Sequence, residues 1–496
     1  MDEASPLLQN AHVEGVNRLE DETRKDVLII DFDPNGDSEN PTEYSKAYKW
    51  SIVALLAFIS FIVTFTCISV VPIANRIVAE LNHGSSDKSA SVLLVTIWEL
   101  GEAVGPLLVA PFSELFGRSP LMNIANLGFI AATILGALSQ NVKLFIATRM
   151  LTGIAVASNV LNPAIIGDMF ITEQRGTAMS VIMIAPLLGG AVGPAIAGAI
   201  AESLGWRAVL WMSVILSGAC EIVFFCCYRE TYKVTILRRR AARLRSETGN
   251  PNIRTKFDLA DSETGAQKFW SSITRPFVVF FSSGVLQAIS VFGSMTFAYF
   301  YIMSTTLPDI LEQIYHLSPA LTGSSFVCFS IGSVFSVGLC NIFLDRIYIR
   351  LRDSKTHAGV GQPEFRLPLV ILGACTLPIV IAMYGWVPQQ KLPLPVMLVT
   401  VGFLGFTLLL GFLPLAAYVV DAFGLYSASA MTALIVTRCL VGTFLPLTTG
   451  PLVQKFGWGG GFAILGAVSL CLAPIPMLVM RYGARWRQRS IYTKDA

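Results

Sequence analysis

Apolar residues run along this chain in blocks of about 20, the length a helix needs to cross roughly 30 Å of hydrocarbon at about 1.5 Å per residue. Twelve such blocks can be read, near 51–73, 91–112, 121–140, 143–166, 177–199, 206–227, 277–304, 320–345, 367–387, 393–420, 427–448 and 459–481. The polar connections between them are short, apart from the first 50 residues and the segment 229–276. The pattern predicts an all-α membrane protein with twelve transmembrane helices in two six-helix pseudo-repeat bundles. On this reading the chain divides into a tail (1–50), a first bundle (51–228), a basic linker (229–276), a second bundle (277–481) and a short closing tail (482–496). Two similar halves joined by a linker place a substrate path at the midplane between them.

Composition agrees with that class. Of the 496 residues 53% are hydrophobic and only 14% charged, against about 25% charged in soluble domains. Of the 36 lysines and arginines, 28 fall on the tails and the connections of one face and 6 on the other, with two inside spans. Because positive loops stay on the inner side, this asymmetry predicts that both termini and the linker are cytoplasmic. The net charge of +3 is thus a signature of topology and not of nucleic-acid binding. No stretch has the form of a cleaved signal peptide. The nine cysteines have neither metal-ligand nor redox spacing. The linker's "YKVTILRRRAARLR" predicts an amphipathic helix over 232–246, with Val234, Ile236, Leu237, Ala241 and Leu244 on one face. Such a helix suits the inner membrane surface, or a solvated linker.

Ionisable groups inside spans are costly, about 2.5–3.5 kcal/mol at the centre on insertion scales, and so point to function first. Glu99 and Glu102, in "WELGEAVGP", are spaced i, i+3 and share one helix face. Two carboxylates in one cavity fit proton carriage or cation binding; the same pair could instead be structural, satisfied by an arginine or by backbone. Arg149 cannot lose its proton, so it must meet an anion or a cavity, either biasing a carboxylate or pinning two helices. Arg438 reads similarly, with more weight on structure. Asn159, on the side of Arg149, and Glu221 in span six are further polar groups for a substrate cavity. Tyr299 and Tyr301, in "SMTFAYFYIMSTT", offer flat, weakly polar surface for an amphipathic substrate, or an interface belt. No phosphate-binding loop, nucleophile elbow or zinc spacing is present. An enzyme is therefore not expected, no cofactor or metal is called for, and any pumping must run on an ion gradient or on the substrate's own.

Three stretches carry a resemblance. "GPLLVAPFSELFGRSP" joins spans two and three; "RMLTGIAVA" lies in span four; "GGAVGPAIAG" lies in span five. With "RETYKVTILRRRAARLR", "PEFRLPL" and "YVVDAFGLYSASA", in this order and spacing, they resemble the major facilitator superfamily, and within it the fungal twelve-span drug:proton antiporters, over about residues 30–482. In the first stretch Gly117 and Arg118 match, while Ala110, Glu114 and Ser119 replace the usual glycine, aspartate and base. The resemblance implies an interlock of Glu114, Gly117 and Arg118 with Asp168 below span four, a role for Arg149 in proton coupling, and an antiporter motif at Gly189, Gly193, Pro194 and Gly198.

It further implies a proton-coupled exporter of small organic molecules by alternating access, for which Glu99 and Glu102 are the candidate proton carriers and Arg149 their modulator. The partners expected are a small-molecule substrate, protons and the lipid bilayer, without nucleic acid, for a chain that works as a monomer. A fungal secondary metabolite, toxin or xenobiotic is the first cargo to consider, and a polyamine or organic acid the alternative. A non-transporting membrane sensor is a remote third reading. Plasma membrane is the implied location, although "EASPLL" (Glu3 to Leu8) has the acidic-dileucine form of a vacuolar sorting signal.

Overall fold

A computed structural model describes residues 28–33, 36–85, 87–257, 265–353, 361–490 and 492–493; "EASPLL" lies outside them. Among the described residues eleven continuous helical stretches are long and apolar enough to cross a membrane. The last, Ser427–Arg487, has 61 residues, about 90 Å of helix if straight, three times the hydrocarbon thickness. It is folded back on itself. Span eleven ends at Phe444 in a 3₁₀ turn, Leu445–Thr448, and Gly457 (φ 71°) breaks the helix again before span twelve begins. The result is twelve spans, six in each half.

The spans of the first half are Lys46–Leu81, Lys88–Phe116, Arg118–Ala137, Val142–Met169, Gln174–Ser203 and Trp206–Cys227. Those of the second begin with Gly284–Gln313, Pro319–Arg352, Pro368–Gln389 and Leu394–Phe423. Polar caps start several of them: the Asp87 carboxylate accepts from the Ala90 N–H and Asn141 from the Leu144 N–H, each satisfying an amide the first turn leaves free. With six spans per half, the first tail, the linker and the last helix share one face of the bundle, the tail face; the opposite face is called the far face.

Two segments depart from expectation. Residues 277–282 do not begin span seven; they end a separate helix, Gly265–Ser282. Ser283 breaks it and caps span seven by accepting from the Leu286 N–H. This helix exposes Trp270, Phe277, Val278 and Phe281 on one side and rests Phe269 against Phe112 of span two, ring centroids 4.9 Å apart. The linker helix forms as expected, over Lys233–Thr248, and the centre of its apolar face packs on the chain itself. Leu237 and Ala241 are fully buried against Ile30 and Ile253, because the first tail returns as a strand, Leu28–Ile30, pairing in parallel with Ile253–Thr255. Acidic tail residues then neutralise the linker: Asp37 with Arg240 at 2.6 Å, Asp31 with Lys256 at 2.9 Å and Glu39 with Arg243 at 4.0 Å.

Candidate functional site

Spans two, four, seven and eleven converge on a central cavity of about 280 Å³ between the halves, walled also by spans one, five, eight and ten. Glu99 and Glu102 both face it and are almost fully buried, 1% and 4% exposed. Each is held by the other half. The Tyr301 hydroxyl donates to Glu99 Oε1 at 2.6 Å, and Arg438 Nη2 pairs with Glu102 Oε1 at 3.2 Å. Asn159 of span four donates to the same Glu102 oxygen at 2.7 Å. The Arg438 guanidinium lies 4.1 Å from the centre of the Phe297 ring, a cation–π contact that offsets part of its desolvation. Glu99, Glu102 and the Cys439 thiol bring ligand atoms within 4.8 Å of one another, but Arg438 already supplies a positive charge there. If both carboxylates were ionised, the one guanidinium would leave one negative charge uncompensated. Glu99 Oε2 and Arg438 Nε are buried without a hydrogen-bond partner.

Arg149 goes elsewhere. Its guanidinium donates to the backbone carbonyls of Cys67 (2.9 Å), Leu94 (3.4 Å) and Thr66 (3.5 Å), and among the described residues it bonds to no carboxylate. It ties spans one, two and four together one layer beyond the cavity. Glu221 also lies apart: it accepts from Asn126 at 2.6 Å in a small pocket inside the first half. Tyr299 points away from the cavity and donates to the Leu465 carbonyl of span twelve at 2.8 Å. Of the five polar residues expected at a substrate cavity, the structure gathers Asn159, Tyr301 and Arg438 there and leaves Glu221 and Tyr299 outside.

The far ends of the two halves are packed shut. Span five lies against span one where Gly189 and Gly193 face the Phe61 and Phe65 carbonyls; a Cβ would come within 2.7 and 3.1 Å of them. Further along, Gly198 meets the Pro319 carbonyl of span eight, and Gly323 returns the contact on the Pro194 carbonyl. Only glycine lets backbones touch there. Beside this seam Asp309 of span seven accepts from Asn75 at 2.8 Å and pairs with Lys88 at 3.3 Å, both from the first half. Sequence reading missed Asp309 because span seven was expected to end near 304, before its polar end.

The family model described as Major Facilitator Superfamily matches residues 53–446. The chain belongs to the major facilitator superfamily. This facilitator is 33% identical over 467 residues to "Efflux pump radE" of Floropilus chiversii, covering 94% of this chain and 86% of that one. To "MFS transporter cpaT" of Aspergillus oryzae it is 31% identical, covering 97% and 96%. Its fold is similar to that of the xylose transporter XylE from E. coli in a partially occluded inward-open conformation (TM-score 0.65, 15% identity, 88% and 98% covered). It is similar also to the human organic anion transporter MFSD10 (TM-score 0.59, 17% identity, 89% and 100% covered). The protein is a transporter of small molecules and not an enzyme.

On the tail face of this facilitator, Gly117 (φ 100°) turns the chain between spans two and three. Arg118 pairs with Asp168 at 3.4 Å, bonds the Ser113 hydroxyl and stacks on the Tyr232 ring at 4.5 Å. Glu114 stands on the wall of an adjoining pocket of about 440 Å³ that also touches Asp168, Tyr232 and Arg238. The residue that organises this corner was not singled out by sequence. Glu230, just past span six, accepts the Arg118 N–H at 3.0 Å and the Ser119 N–H at 3.3 Å, so a carboxylate caps the start of span three. Its signal was present in "RETYKV", a matching stretch whose glutamate had no assigned partner.

Proposed function

We propose that this facilitator is a proton-coupled exporter of small organic molecules, working as a monomer in the plasma membrane with its tail face in the cytoplasm. One observation carries the reading: two buried carboxylates on one turn of span two, each bound across the seam by the opposite half, Glu102 by Arg438 and Glu99 by Tyr301. Charge counting gives the mechanism. With both acids ionised the site has one excess negative charge, which a proton or a positive group neutralises. A proton on Glu102 removes its ionic attraction to Arg438, and a proton on Glu99 weakens its acceptance from Tyr301. Either event acts on a bond that joins the halves, so proton binding and the relative movement of the halves are linked. Arg149 positions span two against span one and thereby sets where the acids stand.

Direction is supported by span five. Its Gly–Pro surface seals the far side against span eight, so cargo entering from the tail side meets the carboxylates while the outer route is shut. The efflux-pump name of one relative supports export, and the 28-to-6 distribution of basic residues supports a cytoplasmic tail face. The test is expression in a yeast lacking its own exporters, with compound accumulation measured across a panel. Energy-dependent efflux that a protonophore abolishes, and that Glu99→Gln together with Glu102→Gln removes without loss of expression, is the expected result. Full efflux in the double variant would sink the coupling assignment.

A further inference from the structure

Two adjacent thiols stand well away from the central cavity. Cys226 and Cys227, in "FFCCYRE", are the last two residues of span six, and both are free and exposed. Cysteine is among the most buried residue types, and neighbours on a helix point about 100° apart, so exposing both takes a wide open face. That face is the outer side of span six, where Ile222 is 67% and Phe225 71% exposed. On a spanning helix such a stripe meets lipid tails, which are as apolar as the side chains. Neighbouring groups fix the level of the pair. Tyr48, at the start of span one, donates its hydroxyl to the Cys227 carbonyl at 3.0 Å and accepts the Arg229 N–H at 2.9 Å. Trp50 and Arg229 are exposed beside it. Tyrosine, tryptophan and arginine together mark a membrane–water boundary, here the one on the tail face. A thiol at that level is reached from water, while a chain attached to it runs down along Ile222 and Phe225. The two other exposed cysteines, Cys375 and Cys471, lie within spans nine and twelve, about 10 and 15 Å from the tail-side ends at about 1.5 Å per residue.

Resting on the cytoplasmic tail face of the exporter reading, we propose that Cys226 and Cys227 are a site of S-acylation by long-chain fatty acyl groups. The cysteine sulfur attacks the carbonyl carbon of a long-chain acyl-coenzyme A presented by a membrane acyltransferase of the cell. The carbon–sulfur bond to the cysteine forms, the one to coenzyme A breaks, and the coenzyme A thiol leaves with the cysteine's proton; nothing is oxidised or reduced. The acyl chain lies in the inner leaflet against the Ile222 and Phe225 stripe, and holds the junction of span six and the linker at the membrane surface.

Acyl exchange on the full-length protein expressed in yeast tests this. Disulfides are reduced and free thiols blocked with N-ethylmaleimide; neutral hydroxylamine then cleaves thioesters, and a polyethylene glycol maleimide marks each thiol released. The wild type is expected to show a hydroxylamine-dependent shift of one or two label masses. Cys226→Ala with Cys227→Ala is expected to abolish the shift at unchanged expression and efflux, and Cys375→Ala with Cys471→Ala to retain it. Mass spectrometry of the wild type is expected to find the acyl mass on the peptide that carries Cys226 and Cys227. No shift in the wild type, a shift that survives in the first double variant, or an acyl mass found only elsewhere overturns the proposal. An N-terminal epitope probed in intact and permeabilised spheroplasts keeps the two readings apart. Absence of the shift with the epitope inside refutes acylation alone, whereas an epitope reached from outside refutes the cytoplasmic tail face and acylation with it.

Discussion

Arg149 and Arg438 are both lone arginines in apolar helices, yet one ends on three carbonyls and the other on a carboxylate. Their roles should separate in mutants. Removing one partner of a buried ion pair costs about 3–5 kcal/mol, because the remaining charge stays buried. Arg438→Gln should therefore lower thermal stability sharply, and adding Glu102→Gln should recover most of that loss without restoring transport. Equal stability of the single and double variants would mean the pair is not coupled. Arg149→Lys keeps the charge but loses the planar fork that spans several carbonyls, so it should reduce stability while leaving the pH dependence of transport in place. Sequence could show that Glu99 and Glu102 share a face, because i, i+3 spacing dictates it. It could not show which arginine meets them, since that depends on how span eleven is rotated. Tyr299 and Tyr301 make the same point. Two residues apart on a helix they point in nearly opposite directions, and only packing decides that Tyr301 faces the cavity.

At the scale of elements, span five shows how residues that weaken a helix serve its surface. Gly198 and Pro194 meet Pro319 and Gly323 backbone to backbone, so Gly198→Leu would hold the far seam apart. Increased labelling of a cysteine placed at the far end of span eight, with reduced efflux, is expected; unchanged labelling would contradict a seal there. Asp309→Asn should loosen the same face more mildly, because Lys88 is partly exposed and such pairs contribute about 1 kcal/mol or less. The linker teaches a different lesson. Its amphipathic helix was legible, but its partner was not, because three-residue strands such as Leu28–Ile30 are too short to show a period. Burial pushes the Asp37 carboxyl up, but the Glu39 amide and the Arg240 guanidinium outweigh it and hold the group below its usual 3.8. A lowered value means that this stabilisation is present above the ordinary carboxylate range and is lost only as pH falls below it. Hydrogen exchange of residues 28–30 should accordingly be protected evenly from about pH 5 to 8, and Asp37→Asn should reduce that protection.

For the whole molecule, the twelve-span architecture was readable because each span must be apolar over its full length to sit in lipid. The cavity was only partly readable, because its wall comes from eight spans far apart in sequence and each contributes between one and four residues. What unites the levels is that both carboxylates of the first half are tied to the second half, so in the proposed mechanism proton binding at the site and movement of the halves are linked. Purified protein in proteoliposomes tests this most directly, with an imposed pH gradient and a fluorescent proton indicator during uptake of an exported compound. The account predicts substrate transport driven by the proton gradient, with substrate-dependent proton flux in the opposite direction, both lost in the Glu99→Gln, Glu102→Gln double variant. Substrate movement that ignores the gradient, or proton flux that survives in the double variant, would contradict it.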